Sequence, residues 1–101
     1  MAEQTVVVEG TVSIRERIAV PPGAVVTVKL IDASGEVVAA AARVSDVVPA
    51  PFSLAYDPAL VPDASRLFVW AALRTEVGVW GTPELSPVAE EPDHVLTRIP
   101  D

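Results

Sequence analysis

The sequence predicts an all-β domain, a small antiparallel β-sandwich of about seven to eight short strands, and three observations carry that expectation. The first is composition. Valine and alanine dominate the hydrophobic half of the 101 residues, and ten prolines interrupt them. That mix suits strands joined by turns better than long helices. The second is a period-two alternation of apolar and polar residues in several short stretches, the mark of a strand with one buried face. The third is the return of turn-forming residues roughly every 8–12 positions. A chain of this length suits one domain over residues 1–101 and buries about 65% of the surface it exposes when unfolded, enough for one modest core.

The stretch Ile18 to Asp32, IAVPPGAVVTVKLID, organises the rest. Pro21-Pro22-Gly23 is a stiff corner, because proline fixes φ and Gly23 can take the positive φ of a type II turn. From Ala24 to Asp32, Val26, Val28 and Leu30 alternate with Thr27, Lys29 and Ile31, and the first set is predicted to face the core. Before the corner, Gln4 to Ile14 is a strand with Val6, Val8, Gly10 and Val12 on one side. Arg15-Glu16-Arg17 follows as a solvated strand edge, with an anion-binding pair as the alternative. After it, Asp32-Ala33-Ser34-Gly35 is a hairpin connection and Glu36 to Val44 the returning strand.

Ser45 to Pro51 is predicted to be a loop. Phe52, Leu54 and Tyr56 then alternate with Ser53 and Ala55, and Asp57 is placed to cap a short helical turn at Ala59-Leu60. Arg66 to Thr75 is the second strong strand, with Leu67, Val69, Ala71 and Leu73 on one face and Arg66, Phe68, Trp70, Ala72 and Arg74 on the other. Two partly apolar faces imply a central or covered strand. Glu76 to Gly81 is a shorter strand. Thr82 to Asp93 holds three prolines and four acids and is expected to be a mobile loop. His94 to Ile99 closes the chain, with Val95, Thr97 and Ile99 expected inward.

Chemistry is sparse. The net charge of −7 argues against nucleic-acid binding, which rests on cationic neutralisation of phosphates, and against an electrostatic membrane surface. With no cysteine, disulfides, thiolate metal sites and a cysteine nucleophile are excluded. His94, the one histidine, lies beside Asp93, but neighbours on a strand point to opposite faces, so a catalytic arrangement is not implied. It is expected to be a surface residue at a strand end. Glu84, Glu90, Glu91 and Asp93 lack the glycine-punctuated pattern of a calcium loop. No phosphate-cradling glycine motif exists, and no apolar run approaches the ~18 residues of a membrane helix. No catalytic residue, metal or cofactor is therefore expected.

The aromatic residues are the remaining candidates. Phe68 and Trp70 share a strand face, and Trp80 on the next strand could join them across a hairpin. Two readings stay open: a minor core beneath the proline-rich loop, or an exposed patch that binds a protein or a ligand.

One further feature is a resemblance. VEGTVSIRERIAVPPGAVVTVKLID is similar to the opening of the YbaY-type lipoprotein domain, grouped with the YscW type III secretion lipoprotein chaperones, or pilotins. The R-E-R and P-P-G-A blocks carry the likeness, joined by PFSLAYDP at Pro51 to Pro58 and VLTR at Val95 to Arg98. The resemblance implies a small β-sandwich, a bacterial source and no catalytic residues. Members are usually lipid-anchored to bacterial envelopes, and the pilotin branch chaperones an outer-membrane secretin. The expected protein is thus a non-catalytic interaction or chaperone-like module, monomeric or weakly dimeric, that meets another protein through Phe68, Trp70 and Trp80. The alternatives are a structural envelope module without a ligand site, and a small-ligand or enzymatic domain. A cytoplasmic location is expected if Met1 is the true start, and the cell envelope if a lipoprotein signal preceded it.

Overall fold

The computed structural model describes residues 5–15, 20–45, 47–61, 66–88 and 93–99. In these the chain forms β1 (Val6–Ile14), β2 (Val25–Ile31), β3 (Val37–Val44), β4 (Ala50–Tyr56), a 3₁₀ turn (Pro58–Leu60), β5 (Phe68–Thr75), β6 (Gly78–Gly81), β7 (Ser86–Pro87) and β8 (Asp93–Ile99). The ladder runs β3-β2-β5-β6-β8-β1-β4, with the two-residue β7 added beside β5. The two end strands, β3 and β4, come back alongside each other. Arg43 Nη1 on β3 reaches the Pro51 carbonyl on β4 at 3.5 Å, a long contact across the seam. The result is one nearly closed, barrel-like sheet.

The all-β class is as expected, but the two packed sheets of a sandwich are not what forms. The reason lies in β8. Its first half, Asp93 to Leu96, runs parallel to β1 from Thr11 to Ile14, and its second half, Thr97 to Ile99, pairs antiparallel with β6. One strand thus joins what would have been separate sheets, and the β1–β8 pair departs from an all-antiparallel pattern. A strand in a barrel buries alternate residues just as one in a sandwich does, so the alternation alone cannot separate the two.

The interior is filled from every long strand except β3, whose Val38 and Ala39 only pack against it. Val26, Val28 and Leu30 of β2 are buried, as are Val69, Ala71 and Leu73 of β5 and Phe52, Leu54 and Tyr56 of β4. Val12 and Ile14 of β1, Leu67, Val61 and Leu96 complete this core. β5 is central, flanked by β2, β6 and β7. Pro51 sits in β4, where only an edge strand tolerates a residue without an N–H. The alanines of β3 are extended rather than helical, because each residue from Val37 to Val44 is held by the ladder to β2, with Val38 as the extra residue of a bulge. Asp57 does cap the 3₁₀ turn, its carboxylate accepting from Ala59 N at 2.9 Å.

The β2–β3 hairpin shows how local residues set a turn. Gly35 N donates to Asp32 O at 3.0 Å, and Gly35 adopts a φ of 91°, as Gly23 adopts 84° at the proline corner. Only glycine takes that left-handed geometry without cost. Asp32 Oδ1 accepts from Ser34 N at 2.9 Å, Ser34 Oγ at 2.6 Å and Glu36 N at 3.0 Å. The Ser34 hydroxyl foremost, with the backbone N–H groups behind it, holds this carboxyl below its ordinary value of 3.8. A depressed folded-state pKa contributes stability that is present above the unfolded value and lost as pH falls through the folded one. Asp32→Ala is therefore expected to lower the melting temperature at neutral pH. The gap to wild type should close as the pH is taken below the ordinary carboxylate range. A gap that stays constant with pH in thermal scans would show that the charge plays no part.

The phase of the last strand, and with it the placement of His94, is corrected by the fold. In β8 the inward residues are His94 and Leu96, 6% and 0% exposed, while Val95 and Ile99 stand out at 48% and 49%. The phase is one residue from that expected. His94 is thus a core residue, its ring 5.8 Å from that of Phe52, not a surface histidine. The described part of the proline-rich segment, up to Val88, is tied to β5. Thr82 Oγ1 donates to Ala71 O and accepts from Ala71 N, and Val88 N donates to Leu67 O.

Candidate functional site: the outer face of the central strands

The alternation that buries Leu67, Val69, Ala71 and Leu73 turns Phe68 and Trp70 outward, where both are half-buried. Register then decides what lies beside them. Phe68 is flanked by Ile31 of β2 and Pro87 of β7, and Ile31 in turn by Val37 of β3. Trp70 is flanked by Lys29, whose Nζ lies 5.0 Å from the indole centre, and beyond it by Ala40. A cation over an indole face is attracted by the ring's quadrupole, by about 0.5–1 kcal/mol at an exposed site. The lysine and the tryptophan therefore hold each other against the sheet.

The same face continues towards the other end of the strands. One row is Ala42, Thr27, Ala72, Gly81 and Thr97, all small. The next is Val44, Val25, Arg74, Val79 and Ile99. Val37, Val44 and Ile99 are 51%, 66% and 49% exposed, so the margins of this face are open and apolar. Contiguous apolar surface of this kind on a small domain marks an interaction site more often than chance.

Trp80 does not join the patch. It pairs with Leu73, which faces inward, and is only 1% exposed. The Arg98 guanidinium lies 5.6 Å from its ring centre while Nη2 donates to Val77 O at 2.9 Å, so the arginine covers the indole at the end of the core. Of the three aromatic residues singled out in the sequence, the structure brings Phe68 and Trp70 together and places Trp80 on the opposite side of the sheet.

Nothing else among the described residues assembles a reactive centre. No group of three or more His, Asp or Glu side chains is placed to hold a metal ion. Of the acids considered for calcium, Glu90 and Glu91 lie outside the described residues, as does Arg17 of the arginine pair. Among the described residues, no helix is long and apolar enough to cross a membrane. Arg74 was read onto the Phe68 and Trp70 side of β5, but Lys29 and Ile31 were missed as members of the face. Their outward direction was visible in the alternation of β2, but their neighbours depended on a register no single strand encodes.

The architecture is that of a barrel-like all-β domain. The chain belongs to the family described as the type III secretion system lipoprotein chaperone YscW, whose model matches residues 3–97. It is also similar to a solved structure, an alternative pilotin from the type II secretion system of Vibrio cholerae. The two share 27% sequence identity and a TM-score of 0.83, over 97% of this chain and 100% of the other. A comparison with curated proteins gives no significant match. Family and structural neighbour are both of a chaperone or pilotin kind, not an enzyme kind.

Proposed function

We propose that this chain is a non-catalytic, chaperone-like module that binds a protein partner through the outer face around Phe68 and Trp70. The observation that carries this reading is the pair itself: two large aromatic side chains left partly exposed on a central strand, Phe68 between Ile31 and Pro87 and Trp70 beside Lys29. Rigid aromatic anchors of this kind supply much of the binding energy at protein interfaces. The family and the Vibrio cholerae pilotin support a partner drawn from a secretion system of the bacterial envelope.

The test separates binding from folding. A partner captured from the native organism by the wild-type chain, then purified, is expected to lose at least about tenfold in affinity for Trp70→Ala, the loss of one interface anchor. The stability of that variant is expected to fall by no more than about 1–2 kcal/mol, since the ring is only half-buried. Unchanged affinity for both Trp70→Ala and Phe68→Ala in calorimetric titration would remove this face from the function. It would leave a structural envelope module as the better description.

A further inference from the structure

We propose that the partner segment seated on this face is acidic as well as apolar, with carboxylates that pair with Lys29 and Arg74; this rests on the reading of the face as the binding surface. The argument is charge complementarity. The chain as a whole carries a net charge of −7. Among the described residues, however, the cross-strand rows that run from β3 through β2 and β5 to β6 and β7 contain no carboxylate, and their charged members are Lys29 and Arg74. The described acids that flank these rows are Asp32, Glu36 and Glu76, in the hairpin and the turn at the strand ends, and Glu84, in the connection between β6 and β7.

At physiological salt, charges further apart than about 8 Å are largely screened from one another. A segment lying on the face is therefore governed by the two cations it touches rather than by the negative total. Each cation is set among apolar side chains. Lys29 lies over Trp70, and Arg74 stands between Val25 and Val79. A partner that covers those side chains excludes water from around the charges. A carboxylate at each position satisfies them, and a cation there is repelled. The same face with two acids in place of Lys29 and Arg74 would select the opposite partner. Anionic lipid is a second class of surface with the right local sign, but a membrane meets the whole protein, whose charge is repelled by it.

The experiment uses two synthetic amphipathic helical peptides of about 18 residues, five turns by geometry. They have identical leucine faces, flanked by glutamate in one and lysine in the other, and are titrated against the full chain at physiological salt. The glutamate peptide is expected to bind about tenfold more tightly, two exposed charge pairs' worth. The preference should reverse for the double variant Lys29→Glu/Arg74→Glu and should weaken with added salt. A stronger lysine peptide would mean that net charge rules, which overturns the proposal. Equal binding of the two peptides, lost in Trp70→Ala, would overturn the acidic partner while leaving the face as a binding surface. Loss of neither peptide in Trp70→Ala would sink the surface itself. Failure of both peptides to bind the wild-type chain, or binding to vesicles of anionic lipid in their place, also overturns the proposal. A circular dichroism spectrum of the double variant that matches wild type, with a melting temperature lowered by no more than the few degrees that the Lys29–Trp70 contact supplies, excludes misfolding as the cause of any change.

Discussion

Trp80→Ala is expected to destabilise the protein by about 3–5 kcal/mol, the range for emptying a buried large aromatic site. In domains of this size, total stability is about 5–15 kcal/mol and each kcal/mol shifts the melting temperature by about 4–8 °C. The expectation follows from position. Trp80 is among the largest fully buried side chains, packed beside Leu73 across the β5–β6 ladder, with the Arg98 guanidinium over its ring. Truncation leaves a cavity roofed by a charged group, and an arginine cannot fill an apolar void without losing its solvation. Urea denaturation followed by circular dichroism measures the effect. The contrast with Trp70→Ala is the informative part, because one tryptophan is assigned to the core and the other to the surface. Similar losses for the two would mean that the sheet faces have been confused.

That assignment was within reach of the sequence, by an argument from the turn rather than from the strand. Glu76 and Val77 are the two loop residues of the β5–β6 hairpin, so Thr75 closes against Gly78. Thr75 Oγ1 donates to Gly78 O at 3.0 Å and accepts from Val77 N and Gly78 N. Two residues back from Thr75 is Leu73, and two forward from Gly78 is Trp80. A two-residue turn therefore puts the tryptophan on the leucine's face. Alternation within β6 alone could not decide this, since four residues carry too little pattern.

Elsewhere the legible parts were those with strong local signals. In β2 the alternation predicted the inward residues Val26, Val28 and Leu30. In β4 and β5 it grouped Phe52, Leu54 and Tyr56, and Leu67, Val69, Ala71 and Leu73, on single faces, though Ala50 was assigned to a loop and β5 carried apolar residues on both sides. Asp57 and Gly35 were legible because capping and left-handed geometry are decided within a few residues. Strand order and the parallel β1–β8 pair were not. They join positions some 80 residues apart, as Thr11 and Asp93 show, and nothing near either residue specifies the other. Choosing between a sandwich and a barrel failed for the same reason. The face around Phe68 and Trp70 was half-legible: the strand and its Arg74 were right, but Lys29 entered only through cross-strand register.

The final strand gives the second large effect. Leu96→Ala is expected to cost about 2–5 kcal/mol, as for a fully buried leucine, whereas Val95→Ala should cost no more than about 1 kcal/mol, the span of strand preference at exposed sites. Local hydropathy argues the reverse, since Val95, Thr97 and Ile99 form the more apolar alternate set against His94, Leu96 and Arg98. The structure chooses the second set because His94 and Leu96 have places inside and Arg98, itself exposed, caps the core. His94 packs on Phe52, Leu96 is wholly enclosed, and Arg98 covers Trp80. Ile99 is thereby turned outward into the row of Val25, Arg74 and Val79. The phase of one strand thus decides both how the core closes and how far the apolar face extends. Chemical denaturation of the two variants side by side tests it. A greater loss for Val95→Ala would shift β8 by one residue, pull Ile99 inside, and cut the proposed binding face short at β6.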